Sequence, residues 1–185
     1  IKSNISKKNF IKNINIAKKY IKNGDIFQVV PSQRFETKYT GSVLKLYQAL
    51  RKTNPSPFMY YFNFPRFKIV GSSPEILVRL RNKKITIRPI AGTRPRGETK
   101  KLDNKYAEDL LKDKKEIAEH LMLLDLGRND VGRVANKSSV KVTSEFEIER
   151  YSHVMHIVSN VEGKVSSNKT AFEALMAGFP AGTVS

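Results

Sequence analysis

Residues 114–134, KKEIAEHLMLLDLGRNDVGRV, decide how the rest of the chain is read. Ile117, Ala118, Leu121, Met122 and Leu124 recur at the three-to-four spacing of a buried helical face. At about 100° per residue, Asp113, Glu116 and His120 fall on a second face, with Glu119 flanking it. Gly127-Arg128-Asn129-Asp130 then has turn chemistry, which predicts the end of the helix. The gathered acids allow two readings. They form a solvated face neutralised by Lys112, Lys114 and Lys115 through i,i+3 and i,i+4 pairs. Alternatively they are a carboxylate set for a hard divalent ion such as Mg²⁺, which takes one or two carboxylates and completes its shell with water and substrate oxygens. Zinc fits less well, because there is no Cys, only 3 His, and no His-Glu-x-x-His pattern.

The surrounding chain is strongly basic, with 34 Lys+Arg against 17 Asp+Glu and a formal charge of +17. About two-thirds of those bases are Lys, scattered in ones and twos beside abundant Asn and Ile, as an A+T-rich coding sequence would produce. No basic stripe alternates with aromatics, so neither nucleic acid nor membrane is the expected partner. At 185 residues the chain fits one domain, long enough to bury about 70% of its unfolded surface. Hydrophobic content of 39% suffices for a core. No run approaches the ~18 apolar residues of a membrane span, and no signal-peptide pattern opens the chain. Absence of Cys suits a reducing compartment, so the expected location is the cytoplasm, with a plastid as the variant.

Read in order, residues 6–23 predict a helix, with Phe10, Ile11, Ile14, Ala17 and Ile21 on one stripe and Gly24 as a left-handed cap. Residues 26–30 read as a buried strand, broken at Pro31 and resuming through 34–36. Ser42 is placed to cap a helix over 43–52. Asn54-Pro55-Ser56-Pro57 is a rigid connection, because both prolines bar helix at the residues before them. Strands are expected at 58–62, 67–70, 76–80 and 84–88, with a lone Glu75 exposed by the turn before the third. Residues 89–99 read as a loop whose glycines let backbone N–H groups approach an anion, with two arginines nearby. Beyond the acidic helix, 140–142 and 151–159 are strand-like, the second carrying His153 and His156 on opposite faces. A last helix, 171–177, runs into a Gly-rich end at which the sequence looks cut. Helices mixed with hairpin-spaced strands argue for an α+β fold of mostly antiparallel sheets with flanking helices.

Four stretches occur together: PIAGTRPRG (89–97), EIAEHLMLLDLGRND (116–130), YSHVMHIVS (151–159) and FPAGTVS (179–185). With GDIFQVVPS (24–32) and NPSPFMY (54–60), they resemble the chorismate-utilising enzymes, most closely the large components of anthranilate synthase. The resemblance covers nearly the whole chain. It implies one chorismate-binding catalytic domain, 1–185, truncated at both ends, whose relatives continue past Ser185 to contribute a second metal-binding Glu. Water-adding relatives that make isochorismate or salicylate carry Lys where this chain has Gln28. The aminodeoxychorismate branch commonly has a nucleophilic Lys where this chain has Ala91. Both departures favour direct amination: chorismate and ammonia would give anthranilate and pyruvate in tryptophan biosynthesis. A glutamine amidotransferase subunit would supply the ammonia. Aminodeoxychorismate- or isochorismate-type chemistry is the nearest alternative, and a basic nucleic-acid-binding domain the distant one.

Carried over position by position, the resemblance makes Glu119 a Mg²⁺ ligand and Glu116 a water-mediated one, leaving Asp113 to solvent. Glu75 would be the general acid for the departing C4 hydroxyl. His156 would assist pyruvate elimination or orient substrate. Gly92, Thr93 and Thr183 would contact carboxylates. Asn54, Pro55 and Met59 would be part of a tryptophan feedback pocket.

Overall fold

Ser6 opens the first helix, α1 (Lys7–Asn23), by accepting a hydrogen bond from the Asn9 N–H at 3.2 Å. Gly24 closes it at φ 82°, the left-handed cap predicted from sequence. The computed structural model describes residues 1–181. Within them residues 1–41 form one compact unit and 42–180 another. In the first unit a two-residue strand, β1 (Lys2–Ser3), pairs antiparallel with β2 (Phe35–Glu36). The strand expected at 26–30 is absent, and Phe27 is almost fully exposed. An apolar run becomes a strand only with a ladder partner, and here β1 is already taken by β2.

In the second unit Ser42 caps α2 (Val43–Thr53) as expected. The hairpin β3 (Phe58–Asn63) and β4 (Lys68–Ser73) follows, with Tyr61 packed on Tyr47 at 6.0 Å. The strand expected at 76–80 is displaced to β5 (Arg79–Arg81). β5 turns through Asn82 and Lys83, both at positive φ, into β6 (Lys84–Ile87).

The expected loop at 89–99 is instead largely strand, β7 (Ile90–Pro95). It pairs with the long β9 (Val154–Lys164), and β8 (Lys141–Arg150) completes the sheet. β6 and β7 bond to successive halves of β9, while β8 opposes both halves. β9 is therefore central, with β6 and β7 along one edge and β8 along the other. Residues 151–153, expected to begin β9, form its entry turn, where Tyr151 N–H donates to the Val154 carbonyl at 2.8 Å.

Two helices cover one face of this sheet, α3 (Lys100–Lys112) and α4 (Lys114–Gly132). α4 does not stop at Gly127. That glycine faces the sheet, where a Cβ would lie 3.3 Å from Pro89 Cγ and 3.5 Å from Ile87 Cγ2, so it serves close approach rather than termination. The buried stripe also differs from the expected one. His120, Leu124, Gly127 and Val131 face inward, whereas Leu121 and Met122 are exposed at 48% and 37%. Leu124, Val131, Ile85, Val161 and Ala174 form one core cluster, and Ala107, Leu110, Met155 and Ile157 another. The last helix, α5 (Ala171–Ala177), has the bounds read from sequence and a Thr170/Glu173 capping box.

Candidate active site

Three strands place one row of side chains across the sheet. Thr93 of β7 and Glu149 of β8 both stand directly opposite His156 of β9. Directly opposed residues share a face. Met155 and Ile157, on either side of His156, point the other way and are fully buried in the cluster with Leu110. His156 Nδ1 lies 3.1 Å from the Gly92 carbonyl and 3.1 Å from Thr93 Oγ1. A carbonyl only accepts, so Nδ1 carries a proton, and the tautomer this selects has its lone pair on Nε2.

Tyr151 sets its ring edge-on to His156, with centroids 5.5 Å apart. Its hydroxyl donates to Glu149 Oε2 at 2.8 Å, and Arg88 forms an ion pair with the other oxygen of that carboxylate. Burial, followed by the bond to Glu149, pushes the phenol up to about 12, and the charge of Glu75 adds to the shift. Glu75 thus stands within electrostatic reach of this cluster. Its backbone is pinned by Ser73, whose hydroxyl accepts from the Glu75 N–H at 3.3 Å and donates to the Glu75 carbonyl at 3.1 Å. Glu75 keeps an exposed surface, yet desolvation of the carboxyl raises its pKa, the direction a general acid needs.

Gly92 joins this row to the acidic helix. It forms a bulge in β7 at φ 76°, and its carbonyl holds His156. A Cβ at Gly92 would sit 3.4 Å from Glu116 Cβ, 3.1 Å from Leu110 Cδ1 and 3.2 Å from Ile157 Cδ1. The glycine is required by both backbone conformation and space.

The arginines of this segment do not flank an anion site. Arg94 donates to Asp109 at 2.7 Å and Asp113 at 2.9 Å, and its third nitrogen lies 3.7 Å from Glu116. Arg96 and Arg150 both donate to the buried Asp103, which also accepts from Gly97 N–H, and these bonds hold its carboxyl well below the usual range. Each arginine therefore fastens a strand to α3 or α4. Asp113, expected in solvent, caps α4 by accepting from Lys115 and Glu116 N–H, and Arg94 lowers its pKa. His120, expected on the acidic face, is fully buried with Nε2 2.7 Å from Ser159 Oγ, and burial lowers its pKa.

Glu116 and Glu119 remain, half-buried and three residues apart on α4. Two hard oxygen donors one helical turn apart fit part of a Mg²⁺ shell. Among the described residues no three metal-ligating side chains gather, so a closed zinc-type cage does not fit.

Gln28 belongs to the first unit, in a stretch without strand pairing, and Thr183 lies outside the described residues. Asn54 ends α2, and its carbonyl accepts from Ser72 Oγ at 2.7 Å. Ser72 stands opposite Met59, so Asn54, Pro55 and Met59 do collect at one end of the β3–β4 hairpin. Sequence reasoning missed Tyr151, Glu149 and Arg88. No local signal marks them, because Tyr151 lies in the turn after β8 ends at Arg150.

The family model described as chorismate binding enzyme matches residues 1–185. The chain is 60% identical over 185 residues to anthranilate synthase component 1 of Cereibacter sphaeroides, covering 100% of this chain and 37% of that protein. It is 57% identical over 188 residues to the Synechocystis component 1, covering 99% and 37%. The crystal structure of anthranilate synthase component I from Streptococcus pneumoniae superposes with a TM-score of 0.91 at 44% identity, over 100% of this chain and 40% of that one. The chain thus spans 37% of the length of these curated relatives. No described helix is long and apolar enough to cross a membrane. With the family model covering all 185 residues, on a fold that puts His156, Gly92 and Glu116 around one bulge, the chain belongs to the chorismate binding enzymes.

Proposed function

We propose that this chain is part of the large component of an anthranilate synthase, in which chorismate and ammonia give anthranilate and pyruvate. Both units belong to one catalytic domain in this reading. The observation that carries it is 60% identity along the entire chain to a component of that name. The residue types agree. The resemblance puts Gln28 and Ala91 where water-using and amine-using relatives carry lysine, and neither side chain can serve as base or nucleophile, so ammonia, which needs no activation, would add directly.

Glu75 holds its proton to a higher pH than an ordinary carboxyl and delivers it to the C4 hydroxyl, which leaves as water. With Nδ1–H committed to Gly92, His156 presents Nε2 as the acceptor for the ring proton lost when pyruvate is eliminated. Thr93 and Gly92 orient substrate carboxylates beside it. Glu119 would hold Mg²⁺ directly and Glu116 through water. The bound ion supplies positive charge for the ring carboxylate and for charge developing as the hydroxyl leaves. Segments beyond this chain complete the site, and a glutamine amidotransferase subunit delivers ammonia. Asn54, Pro55 and Met59 form part of a pocket for tryptophan as feedback inhibitor, and the protein works in the cytoplasm or a plastid.

The test is chorismate consumption by the complete component with Mg²⁺, with and without ammonium. Anthranilate formed only when ammonium is present supports the reading. Isochorismate or salicylate formed without ammonium would replace it with the water-using branch.

A further inference from the structure

His156 is anchored through one ring nitrogen, and rotation about its Cβ–Cγ bond would break that hydrogen bond, release the tautomer and swing Nε2 away from its target. The remaining freedom is removed from the opposite side. Tyr151 leaves β8, turns back and sets its ring edge against His156. The Tyr151 hydroxyl is tied to Glu149, which stands directly across from His156, and Arg88 at the end of β6 holds Glu149 in place. The same turn is fastened to α2 through His153, whose Nε2 lies 2.9 Å from the Thr53 carbonyl. The phenol is committed as a donor to Glu149 and has no proton to lend to a substrate. Its contribution to the chemistry is geometric.

We infer that Tyr151, anchored by Glu149 and Arg88, is a positioning residue that sets the ring plane of His156 and so aims its Nε2 lone pair. This rests on the proposed role of His156 in pyruvate elimination. The variants are Tyr151→Ala, Tyr151→Phe and Glu149→Gln in the complete component. The readouts are steady-state kinetics, thermal unfolding and ¹⁵N signals of labelled histidine.

Misplacement of a catalytic group by about 1 Å costs up to about a hundredfold. Tyr151→Ala should therefore lower kcat by about tenfold to a hundredfold, with KM for chorismate within about twofold. Tyr151→Phe keeps the aromatic edge and should recover most of that loss, and Glu149→Gln should fall between the two. The His156 ¹⁵N pair should show a single Nδ1–H tautomer in the parent and a tautomer mixture in Tyr151→Ala. A kcat for Tyr151→Ala within about twofold of the parent, or a loss matching only the unfolded fraction, overturns the inference. So does an unchanged ¹⁵N pattern in that variant. The ¹⁵N readout needs no turnover. A parent that makes no anthranilate defeats the functional reading, and the histidine signals still decide the role of Tyr151.

Discussion

Replacing Gly92 with Ala should damage stability and catalysis through the same atoms. At φ 76° an L-residue carries about 1–2 kcal/mol of backbone strain that glycine does not. The new methyl would meet Leu110 Cδ1 at 3.1 Å and Ile157 Cδ1 at 3.2 Å, and both of those residues are fully buried. Neither can rotate into open space, so overpacking adds about 1–3 kcal/mol. The expected loss is about 2–5 kcal/mol in all, a large fraction of a typical domain's stability. Relief by shifting β7 outward would lengthen the bond between the Gly92 carbonyl and His156 Nδ1, so kcat should fall even where the protein stays folded. Gly132→Ala is the matched control. That glycine, in the last turn of α4, has open space around it and no positive φ, so the change should be neutral or stabilise by up to about 1 kcal/mol. The assay is equilibrium urea unfolding of both variants, with kcat measured in the complete component. A Gly92→Ala midpoint equal to the parent's would refute the packing argument.

Other residues give separate tests. Glu75→Gln should lower kcat by about a hundredfold or more, as loss of a general acid does, while raising stability near neutral pH. The sign follows from its raised folded pKa: the native state binds the extra proton above pH 4.5, so the cost of ionising the carboxyl grows as pH rises through the folded pKa and vanishes in the Gln variant. Asp103 is the opposite case. Its depressed pKa stabilises the fold fully above about pH 4 and less as pH falls below the ordinary carboxylate range, so Asp103→Asn should flatten the loss of thermal stability between about pH 4 and 2. Glu119→Gln should abolish turnover in Mg²⁺ and leave the circular dichroism spectrum unchanged, and retained turnover would break the metal assignment.

Legibility in the sequence followed the range of the interaction involved. Ser6, Gly24, Ser42 and the 171–177 helix were readable because caps and amphipathic stripes are local. α3 was missed because Asp103 occupies its buried face, where two arginines and the Gly97 N–H from other segments make a carboxylate tolerable. β7 looked like a loop because its Gly, Pro and Arg content is that of turns. A place on the edge of β9 and a bulge at Gly92 accommodate the first two, and α3 and α4 supply acids for the third. On α4, Ile117 and Leu124 face the core as expected, whereas Leu121 and Met122 were placed inward because a buried His120 and Gly127 counted as polar or breaking. Motif residues of the site could be named, but not what surrounds them. Glu149, Tyr151 and Arg88 reach His156 only through the β8–β9 register and the β6 end, pairings that no local pattern encodes.

Nitrogen tracing separates direct amination at this site from the water-using and covalent alternatives. The complete component is given chorismate, Mg²⁺ and ¹⁵N-ammonium, and the aromatic product is identified by mass. Direct amination gives anthranilate carrying one ¹⁵N, with one pyruvate released per ring. A hydroxylated product without label, or an aminated product that retains its enolpyruvyl group, would contradict it.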